Sequence, residues 1–251
     1  MVELSQQSGK SVSTLQRDFD QLIIEPKLAG ASQEAINLIV DATFFSRSDG
    51  VLVFRANGKN IYWRFIRSET IKEIAAGLDI LDNHGYRFSS VTLDGRKGII
   101  KLFEARYPGL PIQLCQFHQV QIIRRYTTNN PKTECGKALK SIMCCLTKTE
   151  QTVFQSLVET LQEYYADFLK ERNENNQFKH RRLRSAFRSL KSNMPYLFTY
   201  KNHQQLTIPN TTNSCDGSFA HWKQKLKIHR GLKQHRRNKM INFLLNQSNL
   251  P

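Results

Sequence analysis

Three strand-like runs with a tight turn inside them, followed by an alternation of helix and strand, restrict this chain to a mixed α/β sheet. Residues 36–45 (INLIVDATFF) are a dense apolar run of strand length, and residues 51–55 (VLVFR) are a second. Asn57-Gly58 then supplies the tight turn of a hairpin and leads into residues 60–66 (NIYWRFI). The three strands predict an antiparallel meander.

After the meander the apolar period lengthens. Residues 69–84 place apolar side chains at 71, 74, 78 and 81, the spacing of an amphipathic helix, which Gly85 closes. A strand follows over 89–93, ending in Asp94-Gly95, then a helix over 96–106 up to Pro108-Gly109, then a strand over 112–117. The expected order is β-β-β-α-β-α-β. A right-handed crossover sets the first strand of such a sheet beside the fourth. Asp41 and Asp94, both near strand carboxyl ends, then become neighbours where open α/β sheets place their ligand sites.

Residues 119–204 show no strand pattern. Helices are expected near 133–146, 150–171 and 178–192, with breaks at 129–131, 173–176 and Pro195. A last helix pair, roughly 213–228 and 233–246, flanks Gly231. At the start, residues 3–22 read as two short helices around a Ser-Gly turn, the second capped by Ser11 or Ser13, the outline of a helix-turn-helix.

Charge points to the partner. With 37 Lys+Arg against 21 Asp+Glu the net charge is +16 and the pI about 9.8, a balance that steers polyanions, with nucleic acid first among them. A basic surface that is merely solvated is the plain alternative. The excess is uneven: residues 175–251 hold 15 Lys+Arg and one acid, Asp216. Six of the thirteen residues of 179–191 (KHRRLRSAFRSLK) are Lys or Arg, around an apolar stripe of Leu183, Phe187 and Leu190. That face meets DNA, a second subunit or only solvent. No run approaches the ~18 apolar residues of a membrane span, and the start lacks a secretory core. Five cysteines at irregular spacing fit thiols in a reducing compartment, so the expected location is intracellular.

Taken singly, Asp41 and Asp94 are ordinary strand-ending turn residues. Asp216 stands in the first turn of a predicted helix, where with Asn213 it would also serve as a variant capping box. Lys223 lies two turns further on the same face, beside an apolar face of Phe219, Trp222 and Leu226. Lys223, Lys225 and Lys227 read either as phosphate contacts or as a solvated ladder. Three carboxylates that converge repel one another unless a divalent cation neutralises them, and hard oxygen donors select Mg²⁺ or Mn²⁺. Two such ions suit phosphoryl transfer on nucleic acid. Cys115 and His118 are either half of a zinc site or, at a strand end, a buried thiol beside an imidazole that bonds a carboxylate or a phosphate.

The stretches LIVDATFFSR (Asp41), VTLDGRKGI (Asp94), QLCQFHQ (Cys115, His118) and PNTTNSCDGSFAHWKQKLKIHRGL (Asp216, Lys223) together resemble the DDE transposases of bacterial insertion sequences, in the Mutator-like group. The resemblance spans nearly the whole chain from residue 36. It implies a ribonuclease-H-like α/β fold with an all-helical insertion and a C-terminal helix pair. It further implies Asp41, Asp94 and Asp216 as catalytic metal ligands for Mg²⁺ or Mn²⁺, with Cys115 and His118 supporting them. Lys223, Lys225, Lys227, Arg230, Arg181, Arg182 and Arg184 are the expected DNA contacts. The expected divisions are an N-terminal helix-turn-helix remnant at 1–30, catalytic halves at 31–118 and 205–251, and the insertion at 119–204. The implied activity is strand cleavage at the terminal inverted repeats of the element and joining of the 3′-hydroxyls to target DNA. A homodimer or larger assembly on DNA, in the bacterial cytoplasm at the nucleoid, would carry it out. The wider family has Glu where this chain has Asp216. A ribonuclease-H-like nuclease or resolvase, or an inactive DNA-binding derivative, are the alternatives.

Overall fold

The computed structural model describes residues 2–25, 28, 30, 34–228, 231–247 and 249. Ser11 accepts a hydrogen bond from the Thr14 N–H and so starts the second of two N-terminal helices, α1 (Val2–Ser8) and α2 (Val12–Gln21). The apolar runs form β1 (Ile36–Ser46), β2 (Asp49–Ala56) and β3 (Lys59–Ile66), an antiparallel meander. Asn57 and Gly58 turn it at φ of 49° and 76°, the left-handed pair that a two-residue hairpin needs.

The Thr70 hydroxyl caps α3 (Ile71–Asn83) by accepting from the Glu73 N–H, and Gly85 leaves the helix at φ 80°. β4 (Phe88–Leu93), α4 (Lys97–Arg106) and β5 (Ile112–Leu114) complete a mixed five-stranded sheet of order β3-β2-β1-β4-β5, in which β4 runs parallel to both β1 and β5. β1 thus lies beside β4.

Helices follow: α5 (Gln116–Thr127), α6 (Glu134–Met143), α7 (Gln151–Tyr164), α8 (Ala166–Lys170), α9 (Arg181–Leu197) and α10 (Thr199–Asn202). The C-terminal pair is α11 (Asn213–Ile228) and α12 (Gln234–Gln247). Strand alternation divides the apolar side chains between two cores. Leu38, Val40, Leu52, Phe54, Val91 and Leu93 pack with α3, α4, α5 and α9. On the opposite face Ile39, Val51, Val53 and Trp63 pack with Cys215, Phe219 and Trp222 of α11 and with Ile241, Leu244 and Leu245 of α12. Asp20 of α2 is held to α12 by Arg236, at 2.6 Å. Among the described residues no helix is long and apolar enough to cross a membrane.

The structure corrects four expectations. β5 stops at Leu114 instead of reaching residue 117, because its partner β4 ends at Leu93 and leaves no ladder to extend. The next residues form α5, for which the sequence reading provided no helix, and Cys115 is its N-cap. Pro195 lies inside α9 instead of ending it. The bond that Pro195 forgoes is offset by burial of Met194, Leu197 and Phe198, and the Leu197 carbonyl accepts from the buried amides of Gln113 and Gln116 at 2.9 and 3.0 Å. Finally, α9 starts at Arg181, not near 178, since Phe178 forms a β-bridge with Arg172.

Candidate metal centre

Asp41 shares the β1 face of Ile39, so it points toward the side of the sheet that α11 covers, and it is buried. The β1–β4 register pairs Ile39 with Thr92, which brings Asp41 and Asp94 level two residues on: Asp94 follows the end of β4, whereas Asp41, expected near a strand end, lies in the middle of β1, just past the point where its pairing with β4 stops because β4 ends at Leu93. Asp41 Oδ1 accepts from the Ala42 N–H at 2.8 Å, while its Oδ2 is buried with no hydrogen-bond partner. His118, in the first turn of α5, sets Nδ1 2.6 Å from Asp94 Oδ1. Asp41, Asp94 and His118 offer ligand atoms that all lie within 4.8 Å of one another.

Asp216 stands outside that group of three, in the first turn of α11, and its Oδ2 is also buried without a partner. The capping box expected with Asn213 is not formed. Asn213 is already inside the helix and its N–H bonds the Thr211 hydroxyl at 3.4 Å, while the Cys215 and Asp216 N–H groups bond the Thr212 carbonyl at 2.7 and 3.2 Å. Asp216 therefore serves no cap that would account for a carboxylate there.

The segment that delivers α11 is tied to the ends of β4 and β5. The Thr92 hydroxyl donates to the Pro209 carbonyl at 2.7 Å, and the Gln116 N–H to the Asn210 carbonyl at 3.0 Å. Cys115 Sγ accepts from the Thr212 N–H at 3.3 Å and from the His118 N–H at 3.5 Å. The thiol thus joins β5, α5 and the start of α11, and the expected place of Cys115 and His118 at a strand end becomes a helix N-terminus.

The electrostatics are those of crowded, buried acids beside one imidazole. Burial, reinforced by the Asp94 and Asp216 carboxylates, pushes the Asp41 carboxyl up to about 8. Burial also raises Asp216, aided by Asp94 and opposed by His118 and Lys223. For His118 burial works against the imidazolium, but the Asp94 carboxylate and the Cys115 sulfur outweigh it and hold the ring up at about 11. His118 is thus the cation that Asp94 has at hand. Sequence reasoning missed a further acid, Glu69, which burial and the Asp94 charge raise. Its Oε2 pairs with Arg96 at 3.0 Å and its carbonyl accepts from the same guanidinium at 3.0 Å, clamping the loop after Asp94. The available signal was Arg96 itself, two residues past Asp94.

The basic residues divide. Lys223 and Lys227 line a groove of about 460 Å³ with Phe44, Phe45 and Arg237, and Lys225 is not among its lining residues. Arg230 lies outside the described residues. Arg184 sits 3.6 Å over the Phe178 ring and donates to the Leu169 carbonyl at 3.1 Å, while Arg181 bonds the Gln177 side chain and Arg182 the Arg125 carbonyl. None of these three is drawn to the acid cluster. The carboxylate oxygens of Asp41, Asp94 and Asp216, two of them buried and unpartnered, fit a hard divalent cation.

No family model matches the chain, and no curated protein matches it. Among solved structures it is similar to the Drosophila P element transposase strand transfer complex, with a TM-score of 0.32 and 14% identity, over 93% of this chain and 65% of that one. The chain thus spans less than two thirds of the length of that neighbour.

Proposed function

We propose that the chain is a DDE-type DNA transposase whose sheet is a ribonuclease-H-like catalytic core, of the bacterial insertion-sequence, Mutator-like kind its motifs resemble. One observation carries the reading: two acids stand level where the adjacent parallel strands β1 and β4 stop pairing, one of them with an unpartnered buried oxygen, close to a third acid that also has one. In this reading residues 31–118 and 205–251 make the catalytic unit, 119–204 is an insertion in it, and 1–30 is a DNA-binding segment. Its partners are the terminal inverted repeats and target DNA, engaged as a dimer or larger assembly.

Asp41, Asp94 and Asp216 hold Mg²⁺ or Mn²⁺. When bound, such an ion polarises a phosphodiester and favours the deprotonated attacking oxygen. His118 fixes the rotamer of Asp94 and offsets its charge. Cys115 positions His118 and the start of α11. Lys223 and Lys227 take the phosphates beside the scissile bond, with Lys225 and Arg230 further along the same basic segment.

Duplex oligonucleotides from the DNA flanking the gene of this chain provide the test, incubated with Mg²⁺ and the wild type or Asp216→Asn. The wild type should nick the ends and join a pre-cut 3′-hydroxyl end to a target, and the variant should lose both by orders of magnitude while keeping its melting temperature and DNA affinity. Cleavage without joining would replace the transposase by a nuclease or resolvase. Near-wild-type joining by the variant would remove Asp216 from the centre, and no Mg²⁺-dependent chemistry at all would leave a DNA-binding protein.

A further inference from the structure

The loop that carries Asp94 opens onto a second basic groove, of about 630 Å³, between α5 and α9. Lys97, Arg125, Arg182 and Arg188 line it, all four exposed, and no carboxylate does. Some cations of this chain take acidic partners, as Arg96 does with Glu69, Arg106 with Asp82 and Lys201 with Glu150. Among the described residues none of the four groove cations has such an ion pair. Ser185 and Ser189 place hydroxyls between them.

The floor is built, not incidental. Asn193 is buried, and its Nδ2 donates to Gln119 Oε1 at 2.7 Å, whose own Nε2 reaches Ser189 Oγ at 3.4 Å. A Cβ on Gly95 would stand 2.9 Å from that Asn193 nitrogen. The position next to Asp94 is therefore kept bare so that α9 can close against it.

Resting on the reading of the acid cluster as a phosphodiester site, we propose that this groove is a sequence-independent track for the backbone phosphates of the DNA strand that runs into the cluster past Gly95. Guanidinium, ammonium and hydroxyl donors, with no carboxylate among them, suit phosphate oxygens and offer no fixed pattern for reading bases. Arg182 and Arg188 are six residues apart on one helix, about 9 Å along its axis. A single phosphate cannot span that distance, and a run of them can. Both grooves thus serve one strand path: one starts beside Asp94, and the other carries Lys223, two turns from Asp216.

The experiment is binding of two duplexes of unrelated sequence to the full chain in EDTA, over a series of salt concentrations. Lys97→Gln with Arg188→Gln should reduce the log-log salt slope by about two, equally on both duplexes, with an unchanged melting temperature. Lys59→Gln with Lys148→Gln, a pair of exposed lysines outside the groove, should leave the slope as it is. An unaltered slope in the groove variant, an equal loss in the control pair, or a loss on one duplex alone would each overturn the track. The two readings fail separately. A reduced slope in the groove variant, beside a wild type that shows no Mg²⁺-dependent cleavage, would keep the track and discard the phosphoryl-transfer centre.

Discussion

At the scale of single residues the buried acid cluster costs stability. Asp41 holds its proton up to about 8 in the folded chain, against an ordinary value of 3.8. Between those values the folded state retains a proton that the unfolded state has released, so the metal-free protein loses stability as pH rises through that window. His118, held up at about 11 against 6.5, contributes stability that is complete below 6.5 and is lost progressively as pH rises from there through about 11. From about pH 5 to 6.5, therefore, the unfolded chain has already released the Asp41 proton and the folded chain still holds it, while the His118 contribution is intact. In EDTA the melting temperature of the wild type should fall across that interval relative to Asp41→Asn, and excess Mg²⁺ should reduce the difference by favouring the ionised carboxylate. Parallel profiles for the two proteins would show that the burial of Asp41 carries no such cost.

The elements that could be read from sequence are those whose signal is local. The Asn57-Gly58 turn, the 71-74-78-81 stripe of α3 and the Ser11 cap each lie within a few residues of what they determine. What could not be read depends on contacts from far along the chain. β5 is short because β4 ends, and Pro195 is tolerated because Gln113 and Gln116, some 80 residues earlier, satisfy the end of α9. The site divides in the same way. Asp41, Asp94 and Asp216 stood out by type and place, and a carboxylate or phosphate partner was expected for His118; that the partner is Asp94 follows from α5 starting at Gln116, while Glu69 belongs to no motif. The junction itself can be tested at Cys115. Cys115→Val keeps roughly the volume but removes the acceptor for the Thr212 and His118 N–H groups, and should cost about 1–3 kcal/mol. Because Thr212 starts α11, Mg²⁺-dependent protection against thermal unfolding should weaken as well. Cys115→Ser, which restores an acceptor, should recover part of both, and equal effects of Val and Ser would reduce Cys115 to a packing residue.

For the whole molecule, the helices between β5 and α11 share a core with the sheet. Leu183, Phe187, Leu190 and Leu197 belong to the same buried cluster as Leu38, Leu52 and Leu93. An insertion that merely hung from the sheet would have a core of its own and would melt on its own. Both tryptophans, Trp63 and Trp222, lie in the other core, across the sheet from α9. They therefore report on the face that α9 does not touch. Phe187→Ala removes a buried ring from α9 and should cost about 3–5 kcal/mol, which for a chain of this size lowers the melting temperature by roughly 10 °C. If the sheet and the helices between β5 and α11 unfold together, tryptophan fluorescence and helical circular dichroism should shift by the same amount and remain superimposable. If the tryptophan transition stays in place while the helical signal drops first, residues 119–204 are an autonomous unit. The groove between α5 and α9 would then be able to move as a body relative to Asp94. Superimposed transitions instead make the position of α9 as fixed as that of the strands, which a phosphate track leading into a metal centre requires.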